Sequence, residues 1–454
     1  MNSKTLVFSV TTILSASTLF AEPRVDQSAV TLAQDSQSRL VTVGYELTGE
    51  SAVVTVDFQT NTIANAAGDW VSIGDVNFTN VIGDVNQVVQ PGVRTITWQP
   101  DKSWPGQRIN DGRVRAVVKA WATNAPPDYC AVCLLSDADI QTRQETDVTF
   151  NPIRRRYFVS SNAVPGSVQD RMYKTDYLLL RKCPAAGVVW RMGEAGSTSA
   201  TTYPHKVRLT RDYYIGIYEV TYGQYKGIYG SAPTAWSSDN AEGENKEIHP
   251  AMLVYWTALR GNATSYPWPD ANTNANHSVA ADSFFGKLRI LSGIASFDLP
   301  TEAQWEYACR AGTGTDYANG GNVTDMGWTK SNSAKGVTVD AYSIYAASMH
   351  AVGLKQPNNW GLYDMHGNVG EHCLDWFADY DAEAADNGDI AEDPVGAATG
   401  TSKIVRGGDA EAVDSYARSF NRNGRNTMSQ YPSLNFYSSR VYIGFRIVCD
   451  AVAK

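Results

Sequence analysis

The sequence LPTEAQWEYACR at residues 299–310 carries the clearest helix signal in the chain. Thr301 and Gln304 have the spacing of a capping box, in which the two residues bond each other's backbone N–H groups. Three side chains spaced three and four residues apart share one face: Trp305, Ala308 and Cys309. This spacing predicts an amphipathic helix that buries that face.

The flanking sequence adds a stop signal and an ion pair. Gly312 supplies the expected C-terminal stop of this helix. Glu306 and Arg310 are spaced for an i,i+4 pair, worth roughly a few tenths of a kcal/mol on a helix surface. From residue 313 to 454 the chain is rich in Gly, Asn and Ser, with few regular periods. Such a stretch usually needs ions, disulfides or aromatic packing to hold its loops.

A second strand-to-helix signal lies upstream. Residues 213–220 read YYIGIYEV, which predicts a strand. A second capping box, Thr221 to Gln224, follows directly and opens another helix. Residues 177–181 and 188–192 are also predicted strands.

Residues 22–125 have all-β periodicity. Apolar and polar residues alternate from Val41 to Leu47, and a β-branched run extends from Val53 to Phe58. Residues 93–98 and 114–121 provide two further predicted strands. Short strands at this spacing favour an immunoglobulin-like β-sandwich. A spacer or docking role fits a segment that contains no histidine.

The prolines in Asn124-Ala-Pro-Pro127 mark a domain boundary, because consecutive prolines interrupt regular structure. We predict that residues 126–181 are connecting strands, the early part of the next domain. The C-terminal domain would then occupy residues 182–454.

Residues 1–21 have the pattern of a secretory signal peptide. Lys4 precedes a mostly apolar run from Leu6 to Leu19, and Ala21 offers a small residue for cleavage. The run is too short and too rich in Ser and Thr for a transmembrane helix. We therefore expect a secreted or periplasmic protein without a membrane span.

The composition excludes one broad function class. The 454 residues contain 38 Lys and Arg against 47 Asp and Glu, a net charge of −9. The isoelectric point is about 5.3. A general nucleic-acid binder would show a basic surface instead. Because 43% of residues are hydrophobic, the chain can build a substantial core.

The six cysteines are interpreted as structural, either paired or buried. Cys130 and Cys133 form a lone C-x-x-C, without the second pair that a zinc site needs and without a βαβ context for redox chemistry. The sequence leaves the pairing open.

Several segments together resemble one family, that of the formylglycine-generating enzymes, or sulfatase-modifying factors. The similar segments are LPTEAQWEYA at 299–308, YIGIYEVT at 214–221, NWGLYDMHGNV at 359–369, Val405–Gly408, Arg418-Ser419 and Gly444–Arg446. The resemblance spans roughly residues 180–450. It implies an α+β fold related to C-type lectins, with little regular secondary structure, following the β-sandwich.

The resemblance also implies an activity and a metal. Formylglycine-generating enzymes oxidise a sulfatase cysteine with O2 and copper, which two cysteines between the RGG and GFR motifs hold. Thiolates suit Cu(I) because both partners are soft. The stretch from Arg406 to Arg446 contains no cysteine, so we do not expect copper by that route. Ala410 and Ala412 lie after Gly408, and Ala417 precedes Arg418.

Calcium is the second metal that the resemblance implies. Carried over by position, its ligands would be Asn368, the carbonyl of Val369, and Glu371, with Asn332 and Asp340 as weaker candidates for a second site. Oxygen ligands of this kind suit Ca2+. Two positions depart from the family, which usually has Trp beside this Glu: Gly370 and His372. The alternative is structural: Asn368 caps a loop and Glu371 pairs with an arginine.

A histidine-based metal site is a further alternative. His366 and His372 flank Glu371, and Asp375 follows, a combination that suits iron or zinc. Because His366 belongs to the family motif, it needs no metal to explain it.

The C-terminal stretch has the composition of a recognition surface. Tyr, Asn, Ser and Arg combine contact area with adaptable hydrogen bonding. The candidate residues are Asp409, Glu411, Tyr416, Arg418, Asn421, Arg422, Asn435 and Tyr437. An ordinary polar loop region would have a similar composition.

Two functions from different classes follow. The first is a secreted family member without the copper-binding cysteines that acts as a binding or assembly module for a protein or glycan. The second is an oxidoreductase of the family with a variant metal site. The cysteine-free stretch favours the first.

Overall fold

A computed structural model describes residues 21–62, 68–78, 80–107, 109, 112–146, 153–233, 246–263, 265–269, 278–333, 349–425 and 442–452. Residues 1–20 of the predicted signal peptide lie outside this range. Among the described residues, no helix has both the length and the hydropathy needed to cross a membrane.

The N-terminal region consists of two antiparallel sheets around one core. Its strands are β1 (Arg24–Val25), β2 (Thr31–Gln34), β3 (Val41–Thr48), β4 (Ala52–Thr60), β5 (Val71–Ser72), β6 (Ile82–Gly83), β7 (Gln87–Val89), β8 (Gly92–Trp98) and β9 (Val114–Ala122), with helix α1 (Pro100–Ser103). One sheet has the order β1-β3-β8-β6, with β2 on β3; the other has β5-β4-β7, with β9 on β4.

Alternation explains how these sheets face each other. Successive side chains of β3 alternate between buried and more exposed, as a half-buried strand requires. Phe58 of β4 stacks on Trp98 of β8, with ring centroids 4.2 Å apart. The predicted strands are therefore present and form a two-sheet arrangement. The immunoglobulin-like type stays a prediction.

The segment after the double proline belongs to a second sheet. Its elements are β10 (Tyr129–Cys133), α2 (Asp137–Thr146), β11 (Arg155–Phe158) and β12 (Tyr177–Cys183). These strands pair in the order β11-β10-β12-β15-β23, so they share a sheet with β15 (Tyr213–Gly216) and β23 (Val448–Asp450). This sheet joins the start of the C-terminal region to its end.

The remaining C-terminal elements are short and separated by long loops. The helices are α3 (Tyr222–Tyr229), α4 (Trp256–Arg260), α5 (Phe284–Ser292), α6 (Glu302–Arg310), α7 (Val323–Met326) and α8 (Ala382–Asp386). The strands are β13 (Val189–Met192), β14 (His205–Arg208), β16 (Gly327–Trp328), β17 (His366–Gly367), β18 (Gly370–Trp376), β19 (Ile390–Glu392), β20 (Lys403–Arg406), β21 (Asn423–Arg425) and β22 (Ile443–Gly444). They form the sheets β13-β14-β19, β16-β17 and β21-β20-β18-β22.

The predictions for the two helices that begin with a capping box, α3 and α6, are confirmed in part. Both capping boxes are present, at α3 and at α6. The strand predicted to reach residue 220 ends at Gly216. Beyond it, the Ile217 N–H still donates to the Leu179 carbonyl of β12, and the Val220 N–H donates to the Phe445 carbonyl. At the end of α6, the left-handed cap is Ala311 and not Gly312, which follows it.

Buried ion pairs connect the C-terminal motifs. Glu306 of α6 is fully buried and pairs with both Arg310 and Arg406. Although burial opposes ionisation of Glu306, the two arginines hold its pKa below the usual value. The predicted surface pair of Glu306 and Arg310 is thus a core interaction. Arg406 also lies 3.0 Å from Glu302.

A second buried pair joins β18 to the chain's last motif. The Glu371 carboxylate accepts from Arg446 at 2.7 to 2.9 Å and from the Trp305 indole N–H at 2.6 Å. Arg446 also donates to the carbonyls of Gly216 and Tyr363. One guanidinium therefore ties together β15, the loop before β17, and β18.

We expect Arg446→Met to be strongly destabilising. The methionine keeps an apolar stem but leaves the Glu371 carboxylate buried without its cation, which costs about 3–5 kcal/mol of unfolding free energy. Guanidinium unfolding followed by tryptophan fluorescence measures the loss.

The matched control is Arg208→Met, which removes an exposed ion pair with Glu392. Exposed pairs contribute about 1 kcal/mol or less. Equal losses in the two variants would contradict a special role for Arg446.

Candidate functional site

The loop after β20 forms one wall of a cavity of about 430 Å³. Gly407 and Gly408 begin the loop in left-handed conformations, with φ of 92° and 70°. A Cβ on Gly408 would lie 3.0 Å from the Tyr416 carbonyl, so this turn requires glycine. We call this cavity the C-terminal pocket; its walls include Asp409, Glu411, Val413, Tyr416, Asn421 and Asn423.

Hydrogen bonds to other loops hold this wall in place. The Ala410 N–H donates to the Asn368 carbonyl at 3.1 Å, and the Ala412 carbonyl accepts from Lys330 N–H at 2.9 Å. The Asp414 carboxylate accepts from Thr329 at 2.6 Å. These hydrogen bonds give the loop a defined shape.

Arg406 holds the segment around Asn421, which borders the pocket. Its guanidinium donates to the backbone carbonyls of Ser419 and Asn421, at 3.1 and 2.8 Å. Arg406 is fully buried and forms ion pairs with Glu302 and Glu306. Its hydrogen bonds to the two carbonyls therefore connect the pocket to the core.

The structure brings half of the predicted recognition residues together at this pocket: Asp409, Glu411, Tyr416 and Asn421. The Tyr416 side chain is available for contacts, since it is 50% exposed. Arg418 lies in the same segment and pairs with Asp316 at 3.2 Å. Asn435 and Tyr437 lie outside the described residues.

Arg422 has a different environment. Its guanidinium makes a two-pronged pair with the Glu302 carboxylate, at 2.6 and 2.8 Å, and stacks 3.8 Å from the Tyr380 ring centroid. Its side chain is only 3% exposed. It therefore has a core role and does not contribute a free cation to the C-terminal pocket.

Two of the three proposed calcium ligands, Asn368 and Glu371, are engaged by protein groups. The four contacts to Glu371 from Arg446 and Trp305 use its lone-pair positions. The Asn368 amide oxygen accepts from His350 N–H, and its nitrogen donates to Glu219. These contacts do not fit a cation held by Glu371, and they match the structural alternative in which this glutamate pairs with an arginine.

The weaker calcium candidates, Asn332 and Asp340, do not provide a second group of ligands among the described residues. Asn332 closes a turn: its oxygen accepts from Thr329 N–H, and its nitrogen donates to the carbonyls of Thr324 and Gly327. Asp340 lies outside the described residues. Within the described part of the chain, no group of three or more His, Cys, Asp or Glu side chains could hold a metal ion. Calcium binding stays a prediction.

His366 lies beneath the C-terminal pocket in a defined protonation state. Its Nε2 accepts from Ala318 N–H at 3.1 Å, so the proton must lie on Nδ1, which donates to the Ala417 carbonyl at 2.7 Å. Burial lowers the pKa of His366 to about 4. The ring is therefore neutral and links two loops.

The histidine-based metal site does not assemble. His372 donates from Nε2 to the Val254 carbonyl, and burial lowers its pKa to about 4. The Asp375 carboxylate accepts from the Glu302 backbone N–H. Each candidate ligand thus bonds a different protein group.

All six cysteines are buried, and none forms a disulfide. Burial raises the thiol pKa of Cys130, Cys183 and Cys309 to about 12. A thiol with so high a pKa is a poor nucleophile and a poor metal ligand at neutral pH. Of the two structural roles predicted for the cysteines, paired or buried, the structure shows the buried one.

Sequence reasoning missed Glu219, which positions the motif around Asn368. The carboxylate is fully buried and accepts from the Asn368 side chain and from Val369 N–H, at 2.8 and 3.1 Å. Its signal was available: a single acid inside the apolar run YYIGIYEV indicates a buried, partnered carboxylate.

Known proteins match the C-terminal part of the chain. Residues 183–451 match the sulfatase-modifying factor enzyme 1-like domain. Chaperone protein LppX of Paenibacillus barcinonensis is 30% identical over 195 residues, 40% of this chain and 69% of that protein. The formylglycine-generating enzyme of Streptomyces coelicolor is 28% identical over 279 residues, 57% of this chain and 84% of the enzyme. The solved structure of Treponema denticola variable protein 1 has a TM-score of 0.45 at 24% identity, over 63% of this chain and 96% of that one.

Stability should fall as the pH decreases from about 6.5 to about 4, in part through His366. The unfolded imidazole titrates near pH 6.5, whereas the folded one titrates near 4, so the unfolded state binds more protons in this window. The stabilisation is complete above pH 6.5, and the shift amounts to about 3 kcal/mol.

His366→Asn removes this titration, while an amide can still donate and accept. The variant should therefore lose less stability than the wild type between pH 6.5 and 4, measured by urea unfolding at several pH values. Comparing the two proteins cancels the contributions of other buried groups. Parallel pH profiles would rule out a neutral, buried His366.

Proposed function

The chain belongs to the sulfatase-modifying factor family, and on that premise we propose that it is a binding or assembly module and not a formylglycine-generating oxidase. The ligand would be a polypeptide segment held at the C-terminal pocket. Export by the predicted signal peptide would bring the protein to such a partner outside the cytoplasm.

One observation carries this proposal: the stretch from Arg406 to Arg446 contains no cysteine. Oxidation of a substrate cysteine by the family's route needs two thiolates there to hold copper. The stretch has Ala412 and Ala417 in the loop that borders the C-terminal pocket. A methyl group cannot bind a metal, so the chemistry would have no catalyst at this position.

The nearby thiol does not replace the missing pair. Cys309 is buried, and its sulfur lies 3.8 Å from Nε2 of His366, which already accepts a backbone N–H. Its raised pKa keeps it protonated. Copper would also need a second thiolate near it.

The pocket itself supports a binding role. Exposed apolar surface at Val413 and Tyr416 adjoins the acidic Asp409 and Glu411. Apolar contact area beside hydrogen-bonding groups is what a polypeptide ligand requires. The match to a protein named as a chaperone agrees with this direction. The matches to formylglycine-generating enzymes favour the alternative, an oxidoreductase with a variant metal site.

The oxidase alternative has a direct test. A sulfatase-type cysteine peptide is incubated with the purified full chain, O2 and copper, and the product is analysed by mass spectrometry. We expect no formylglycine, because no thiolate pair holds copper at the pocket. The Streptomyces coelicolor enzyme, run in parallel, is the positive control. Formylglycine formed by this chain would overturn the proposal.

The binding role has a separate test. Light scattering follows the aggregation of a chemically denatured client, citrate synthase, with and without the full chain. We expect the wild type to suppress aggregation and Val413→Asp to lose most of that effect, because a charge would disrupt the apolar rim of the pocket. Val71→Asp is the matched control, since Val71 is 65% exposed on β5 of the N-terminal sheets.

Equal suppression by both variants would place binding elsewhere and contradict the assignment to the C-terminal pocket. Failure of the wild type to suppress aggregation would contradict the polypeptide ligand itself.

A further inference from the structure

A second cavity, of about 530 Å³, shares no lining residue with the C-terminal pocket. It is enclosed by β14, β19 and α8, by the first turn of α6, and by the end of β18. Most of its walls are apolar, with Trp376 and Ile390 among them. Its size is within the range of small-molecule sites. We call it the Asp375 cavity.

The charges around this cavity are mostly negative. Five acidic residues line it: Glu302, Asp375, Asp379, Asp381 and Asp389. The two permanently basic side chains in the wall are Lys206 and Arg422. Arg422 and the Glu302 carboxylate neutralise each other, at 2.6 and 2.8 Å, which leaves four acidic residues and Lys206. The cavity therefore favours a cation.

Asp375 has one carboxylate oxygen without a hydrogen bond from the described residues of the protein. It is 3% exposed, and its Oδ2 accepts the Glu302 backbone N–H at 2.7 Å. Within the described ranges, its Oδ1 makes no hydrogen bond. This oxygen is not among the fully buried polar atoms, so it keeps accessible surface in the cavity wall and can accept from a ligand. Burial also raises the pKa of Asp375, to about 7.

The basic groups that act on Asp375 are committed elsewhere. Lys403 donates to the Leu374 carbonyl at 2.7 Å, with its ammonium over the rings of Trp256 and Trp376. It forms no ion pair with Asp375 in the described part of the chain. The hydrogen-bond donor for Oδ1 of Asp375 would therefore come from a ligand.

The geometry favours an organic cation over a metal ion. The acidic side chains are spread around the walls, and among the described residues they do not converge into a metal-binding group. Aromatic and aliphatic walls would instead bury the apolar part of a ligand. Tyr380, another wall residue, has a buried hydroxyl without a hydrogen-bond partner in the described structure.

We propose that the Asp375 cavity binds a small primary amine with an apolar body, whose ammonium group donates to Oδ1 of Asp375. The apolar body would lie against Trp376 and Ile390. An ammonium group supplies several donors, so it can also reach the Tyr380 oxygen. The assignment concerns a site separate from the C-terminal pocket and does not depend on the function proposed for that pocket.

Three matched probes test the charge requirement. Tryptamine, its alcohol analogue tryptophol and the acid indole-3-propionate share an indole ring and differ in the polar end. Saturation-transfer NMR and calorimetry with the full chain measure binding. We expect tryptamine to bind at least tenfold more tightly than tryptophol, and indole-3-propionate not to bind.

Two variants locate the site. Asp375→Asn keeps an acceptor for the Glu302 N–H but removes the charge, and we expect at least a tenfold loss of tryptamine affinity. The matched control Asp389→Asn removes an exposed carboxylate of the same cavity and should change affinity less than threefold. Melting temperatures establish that both variants are folded.

A third variant keeps the proposal testable if Asp375→Asn does not fold. Ala385→Trp leaves every carboxylate in place and fills the side of the cavity next to α8, so tryptamine binding should be lost. Equal affinities for tryptamine and tryptophol, equal losses in Asp375→Asn and Asp389→Asn, or no tryptamine binding to the wild type would each overturn the proposal.

Discussion

The buried pair of Glu371 and Arg446 is the interaction on which the C-terminal region depends. Arg446 donates both to this carboxylate and to the carbonyls of Gly216 and Tyr363, which lie far apart in the sequence. Glu371 in turn accepts from Trp305 of α6. A fold with short elements and long loops has few backbone ladders, so buried charges and their hydrogen bonds must carry the long-range order. The strong penalty for an unpaired buried charge makes such a connection specific.

Arg406 connects the C-terminal pocket to the core through a similar set of buried ion pairs and hydrogen bonds. It is held by two acids of α6, and it donates to the carbonyls of Ser419 and of Asn421, the second of which borders the pocket. Glu302 also pairs with Arg422, beside the Asp375 cavity. Both cavities are thus built around one buried network on α6. The two cavities share these buried anchors, although different sets of side chains line them.

Local features of the fold could be predicted, and distant partnerships could not. The capping boxes at Thr301 and Thr221 could be predicted because each residue bonds a partner only three residues later. Arg422 was expected on a recognition surface because its neighbours are polar, yet its partner Glu302 lies 120 residues earlier. Composition and periodicity carry no information about such a partner. The same limit applies to Glu371, whose residue type suits calcium and an arginine equally well.

In the C-terminal pocket, the residues that give it shape differ from the exposed residues that the proposed ligand would contact. Its shape comes from Arg406, from Asp414 and from backbone bonds to Asn368 and Lys330. Val413 and Tyr416 are about half exposed and face outward, so substitutions there would cost the fold little. A catalytic centre ties its shape to particular side chains, because the reacting groups must be held in place. A binding module is free of that constraint, and this division of roles is the physical reason to favour recognition at this pocket.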